Sequence, residues 1–234
     1  MSKYLWCEDR GSGYQFWCNI CGYLYPDITV ESKINNSRLR IAVDQIRDDG
    51  NEYYILIDAA ADNPDVLREI KALKKNAAGK DNVHIIPIHS FEFALLSFRL
   101  LEKWIFAEQD ELREKRKGYL HIRALFLKLI LSEGTSEELS EFRELFPYAK
   151  KANTEQIASK LLFEITRNTG FETDKGNIGV CFTVDCCDWS KRQANDICGL
   201  DNNKISASKK AELLVSHSIL KRAFERVGLY DNGL

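Results

Sequence analysis

Residues 53–58, YYILID, form an unbroken apolar run that ends on a carboxylate. RDDGN precedes the run and Asn63-Pro64 interrupts the chain soon after it. A short run of this kind, bounded by turn signals, reads as a strand covered on both faces. Such a strand needs helices above and below it, and the flanking sequence supplies them. KYLWCE (3–8) reads as a strand ending on Glu8, followed by the DRGSG turn. Tyr14 to Tyr23 has Phe16, Trp17, Ile20 and Tyr23 near one helical face. ITVES (28–32) is a second strand, and Ser37 is a candidate cap for a helix over about 38–47. Pro64, Asp65 and the lysines at 74 and 75 suit a helix over 65–75, with proline first, acid early and base late. VHIIPI (83–88) is a further strand, in which Pro87 favours an edge or a strand end. The alternation predicts an α/β fold, a mostly parallel sheet with flanking helices, over residues 1–100.

From Phe91 the pattern becomes helical and rich in Leu and Phe, predicting a mainly helical C-terminal region over 101–234. EQDELREKRKG marks a helix end or an exposed turn. Helices are expected over about 135–146, 154–168 and 207–227, with a lone β segment at 176–186 and a frayed YDNGL tail. The formal net charge is −2, so no global basic field marks a nucleic-acid binder, although a local basic groove stays open. No apolar run approaches the length of a membrane span. MSKYLWCEDR places charge where a signal peptide needs its apolar stretch, so the expectation is a cytoplasmic chain with reduced thiols and no membrane partner.

Carboxylates at strand ends carry the functional signal. Ligands of parallel sheets gather at the carboxyl ends of strands, where Glu8 and Asp58 both fall. Mg²⁺ or Mn²⁺ takes oxygen ligands, often one or two carboxylates completed by water and substrate phosphate. In phosphodiester chemistry the ion stabilises the attacking and leaving oxygens. Glu8, Asp58 and Asp62 are therefore the candidate metal ligands. Glu92, at a helix start with Ser90 as its cap, is a further candidate, and its structural alternative is an acid favoured by the helix dipole. Asp9 reads as a solvated turn acid.

The order of these features resembles a TOPRIM domain: a strand ending in a glutamate, a glycine-containing turn and helix, then an apolar strand ending in an acidic run. The resemblance covers about the first 95–100 residues. It implies a Mg²⁺-dependent nuclease acting on DNA or RNA. Glu8 would be the acid/base or metal-linked glutamate, and Asp58 and Asp62 the outer members of the acidic run. In OLD-like relatives an acid after the fourth strand joins them, which matches Glu92. The OLD-like branch further implies an anti-phage effector working beside an ATPase or sensor protein; homo-oligomers stay open. The sequence departs from the pattern in two places. Asp9 and Arg10 stand between the glutamate and Gly11, and Ala60 occupies the middle acidic position. Three alternatives follow for Ala60: a natural variant in which Asp58 and Asp62 suffice, a degenerate domain, or an introduced inactivating change. The second reading of the chain is accordingly a catalytically inactive binding or regulatory subunit.

Cysteines offer a competing signal. Cys18 and Cys21 form a CxxC inside an amphipathic helix, where small buried hydrophobes are the default. Cys181, Cys186, Cys187 and Cys198 could make a zinc site, with His217 as a substitute ligand, and that site would organise an interaction module. The alternative is a reduced, cysteine-rich corner around Trp189. His84 and His89 should project to opposite sheet faces, His89 being near the strand-end site. Arg113, Lys115, Arg116, Lys117, Arg123, Lys204, Lys209 and Lys210 could line a phosphate groove or form a solvated helix face.

Overall fold

A computed structural model describes residues 1–59, 62–106, 111–187, 200 and 204–230. Ala60, Trp189, Cys198 and the end of the tail, each singled out in the sequence, lie outside the described residues. Strands β1 (Lys3–Cys7), β2 (Ile28–Ser32), β3 (Glu52–Asp58) and β4 (Val83–Ile88) pair in parallel in the order β2-β1-β3-β4. Helices α1 (Gly11–Leu24), α2 (Asn36–Gln45) and α3 (Pro64–Ala77) connect them. The fold is α/β, and Pro87 lies on an edge strand, where its missing N–H costs no ladder bond.

The two-residue period of the strands sorts their side chains onto two cores. Tyr53, Ile55 and Ile57 of β3 pack with Leu39, Val43, Ile70 and Leu73 of α2 and α3. Tyr54 and Leu56 join Leu5, Cys7, Ile86 and Ile88 on the other face, under Phe16, Trp17 and Ile20 of α1. Each fully buried aliphatic side chain of β3 contributes roughly 1.5–3 kcal/mol relative to exposure. The strand is apolar throughout because both of its faces are covered.

The α1 face continues into the rest of the chain. Helices α4 (Phe91–Ser97), α5 (Leu101–Ile105), α6 (Glu111–Ile130), α7 (Ser136–Leu145), α8 (Thr154–Thr166), α9 (Val180–Thr183), α10 (Ala207–Ser216) and α11 (Leu220–Glu225) follow, with a 3-10 turn at Pro147–Lys150. A single cluster of buried residues reaches from Leu5 to Leu229, so the helical region shares its core with the sheet. Among the described residues no helix is long and apolar enough to cross a membrane.

Several expectations are corrected here. Residues 176–186 are not a β segment but a turn followed by α9. A strand needs a partner edge, and here the carbonyls of Cys181 and Val184 are taken instead by the buried Lys210 ammonium, at 2.8 and 2.9 Å. The expected helix over 207–227 breaks between α10 and α11. There the His217 carbonyl accepts from Arg99 N–H at 3.0 Å, and Ile219 N–H donates to Ser97 Oγ at 3.1 Å. Of the charged stretch expected to mark a helix end or an exposed turn, residues 111–118 form the first turns of α6. The helix capped by Ser37 starts earlier, with Asn35 Oδ1 accepting from Arg38 N–H at 2.9 Å.

Candidate active site

The strand order makes β1 the point where the chain reverses direction across the sheet. It leaves β1 to one side for β2 and returns past it to β3. Connections diverge at such a switch point, and a crevice opens at the carboxyl ends of the two strands. Glu8 and Asp9 follow β1, and Asp58 is the last residue of β3. These acids line a cleft of about 310 Å³ together with Arg10, Ser12, Glu92, Glu155 and Lys175.

Local structure delivers each acid. Glu8 faces Asn36 of α2, whose backbone and side-chain donors oppose the upward push of burial on its carboxyl. Asn36 reaches it from a turn in which Ile34 has φ +80°, a left-handed conformation that is rare and costly for a β-branched residue. Asp9 accepts from Trp17 Nε1 at 2.8 Å. A Cβ on Gly13 would collide with the Asp9 carboxylate, so the glycine turn makes room for this acid. Asp9 is therefore a packed acid of the cleft, not the solvated turn acid expected from the sequence. Glu92 lies buried in the first turn of α4, with Ser90 Oγ accepting from Phe93 N–H at 3.1 Å as the cap.

Glu155 had no sequence signal beyond its place after Asn153. Asn153 and Gln156 form a reciprocal capping box that starts α8 (2.9 and 3.1 Å). That start is anchored to the sheet by Asp62. Its Oδ2 accepts from the N–H and the hydroxyl of Thr154, at 2.6 and 2.8 Å. Asp62 thus stands outside the lining of the cleft, and its carboxylate is engaged one residue away from Glu155. The structure brings Glu8, Asp58 and Glu92 together and sends Asp62 to fix α8.

The electrostatics of the cleft are unfavourable to the acids that line it. Burial, then the charges of Asp9 and Glu155, pushes the Glu8 carboxyl up to about 7. Burial drives Asp9 to about 6, against the opposing Trp17 hydrogen bond. Glu92 rises to about 7, mainly through burial. Asp58 is raised well above the ordinary carboxylate range by burial, then by Asp9, Glu8, Glu92 and Glu155. Carboxylates that raise one another in a cleft mark functional sites more often than structural ones.

The donor set is all oxygen and anionic, which suits a hard divalent cation. Among the described residues, no three His, Cys, Asp or Glu side chains already stand as a ligand group for one ion. Mg²⁺ needs only one or two carboxylates when water and phosphate complete its shell, so the residues fit that mode of binding. Cys181 lies within α9, and Cys186 and Cys187 follow it; these three do not build a zinc cluster among the described residues. Cys18 and Cys21 lie within α1, as expected, with Cys21 buried.

The histidines stay outside the cleft lining. His84 stacks on Tyr54 (5.0 Å) and bonds Glu52 at 2.5 Å, while His89 lies edge-on to Phe93 at 4.8 Å. Most of the basic residues proposed for a groove have partners elsewhere. Arg123 caps α4 through the carbonyls of Leu96 and Phe98 (2.7 and 3.0 Å), Arg116 is buried, and Lys115, Lys117 and Lys209 sit in helical ion pairs. The cleft's own cations are Arg10 and Lys175. Lys175 arrives because the turn at 174–178 docks on the start of α1, where Gln15 Nε2 donates to the Gly176 carbonyl at 3.1 Å. Gly11, at φ +56°, lies so close to the Lys175 carbonyl that a side chain would displace the turn.

No family model, no curated protein and no solved structure matches the chain.

Proposed function

We propose that this chain is a divalent-cation-dependent nuclease of the TOPRIM-like kind, cleaving phosphodiester bonds in DNA or RNA. One observation carries the reading: Glu8, Asp9, Asp58, Glu92 and Glu155 share a single cleft at the switch point of a parallel sheet. Asp58, with Glu92, Asp9 or Glu155, would hold the ion. Bound there, Mg²⁺ or Mn²⁺ supplies charge stabilisation for the attacking and leaving oxygens. Glu8, with its carboxyl near 7, is suited to hold or release a proton at neutral pH, as a general acid or base must. Arg10 and Lys175, on the lining of the same cleft, would orient the flanking phosphates. An effector role beside an ATPase or sensor protein is the setting that the motif resemblance suggests.

The test is cleavage of plasmid DNA and structured RNA with Mg²⁺, Mn²⁺ or chelator. The expected result is metal-dependent cutting that Glu8→Gln reduces by about 10²–10⁴-fold. Cutting that survives Glu8→Gln and Asp58→Asn together would sink the assignment. A second reading, a binding or regulatory subunit without activity, draws on the engagement of Asp62 with Thr154, which withholds one motif acid from the cleft. It predicts no cleavage under any metal, and it gains if Ala60→Asp is inert as well.

A further inference from the structure

The acidic cleft continues past Gln156, Ser159 and Lys175 into a second hollow of about 260 Å³ that shares those three residues. Its character differs. Tyr148, Phe163 and Lys160 line it, with Asp174 beside them. Tyr148 is 44% exposed, and its ring is steadied by an edge-on contact with Phe146 at 5.9 Å. The Lys160 ammonium lies 5.8 Å from the centre of the Phe163 ring and pairs with Glu164 at 2.7 Å. Asp174 is turned to its own loop, accepting from the backbone N–H groups of Gly176 and Asn177 at 2.7 and 2.9 Å. Lys150 and Lys151 follow Tyr148 and are exposed.

Accessible rings among lysines, on a path that runs into an acidic cleft, combine the two elements of single-strand recognition. Ring faces accept bases, and ammonium groups track phosphates. A duplex buries the faces of its bases, so only an unpaired base can reach Tyr148. We propose that this hollow is a base-stacking subsite for an unpaired nucleic-acid strand, whose backbone passes Lys160 and Lys175 on its way to the cleft. The proposal rests on the reading of the adjoining cleft as a phosphodiester-cleaving site and names that site's substrate class.

Binding of the full chain in chelator, read by fluorescence anisotropy, separates this step from chemistry. The probes are labelled oligo-dT, oligo-rU and a duplex of matched length. Single strands are expected to bind at least about tenfold tighter than duplex, and the tighter of the two single-stranded probes identifies the preferred sugar. Tyr148→Ala is expected to weaken single-strand binding about tenfold, while Tyr148→Phe stays within about twofold of the parent. Lys175→Ala should lower the slope of log K against log salt by about 0.7. Equal affinity for duplex and single strand, absence of binding at low salt, or an unaltered Tyr148→Ala protein overturns the subsite. Tyr148-dependent binding without metal-dependent cleavage defeats only the nuclease reading. Cleavage with binding that is indifferent to Tyr148 defeats only the subsite.

Discussion

The two ends of the sheet treat their acids in opposite ways. At the amino end three acids have donors of their own. Asp27 meets Lys3 Nζ at 2.7 Å, Glu52 meets His84, and Asp49 accepts from the Tyr53 hydroxyl at 2.7 Å. The Lys3 hydrogen bond holds Asp27 below its ordinary range, and the Tyr53 hydrogen bond does the same for Asp49. At the carboxyl end, Glu8, Asp9, Asp58 and Glu92 are pushed upward, first by burial and further by the charges of neighbouring acids, Glu155 among them. The same strands carry both arrangements, so strand formation does not require the second one. Like charges crowded at only one end make that end the candidate site for a ligand that relieves them.

That contrast can be broken most forcefully by neutralising one end at a time. Asp58→Asn or Glu8→Gln should cost at least about a hundredfold in metal-dependent cleavage while raising the thermal midpoint of the metal-free protein at pH 7.5. Glu52→Gln, at the amino end, should leave cleavage unchanged and slightly lower that midpoint. If Asp58→Asn destabilises the metal-free protein as much as it harms activity, the carboxyl-end acids are structural. Gly13→Ala comes next. It should destabilise by about 1–3 kcal/mol through overpacking against Asp9, measured by urea unfolding, and reduce cleavage in parallel.

The pH dependence of stability sharpens the same comparison. Between the ordinary carboxylate value and about 7, the folded protein retains protons on Glu8 and Glu92 that the unfolded chain has released. Stability in chelator therefore falls as pH rises through that window. Mg²⁺ or Mn²⁺ should remove the fall, because a cation binds the deprotonated set. Asp27 and Asp49 act with the opposite sign: their contribution is present above the ordinary aspartate value and is lost as pH drops below it. Differential scanning fluorimetry from about pH 2 to 8, with and without metal, would show both limbs. A midpoint that rises steadily to pH 7.5 in chelator contradicts the description of the cleft.

The smallest effect is expected at Asp62. Asp62→Asn keeps an acceptor for Thr154, so cleavage should fall only a few-fold, about the loss of one charge-assisted hydrogen bond at a half-exposed site. A loss as large as that of Asp58→Asn would restore Asp62 to the metal-binding set.

Local pattern fixed a definite part of the candidate site. The apolar run to Asp58, the strand before Glu8 and the Ser90 cap beside Glu92 are each written within a few neighbouring residues, because strand period and helix capping act over that range. The Asn63-Pro64 start of α3 is equally local, with Asn63 Oδ1 accepting from Asp65 N–H at 3.1 Å. Asp9 could be given its place only once Trp17 and Gly13 folded back over it. The segment at 176–186 has strand-like residues, but Lys210 takes the carbonyls of Cys181 and Val184, so local preference lost to a tertiary partner.

The sequence by itself determined the alternation of strands and helices, and it put an acid at the end of β1 and another at the end of β3. Tertiary structure alone decided which acids face each other. Asp62 and Thr154 lie far apart in the chain, yet their contact turns Asp62 away from the cleft and sets the start of α8, from which Glu155 lines it. Lys175 likewise reaches the cleft only through the docking of its turn on α1. Propensity and capping are set by neighbours in sequence, whereas charge crowding is set by neighbours in space, and only the packed chain brings these groups together.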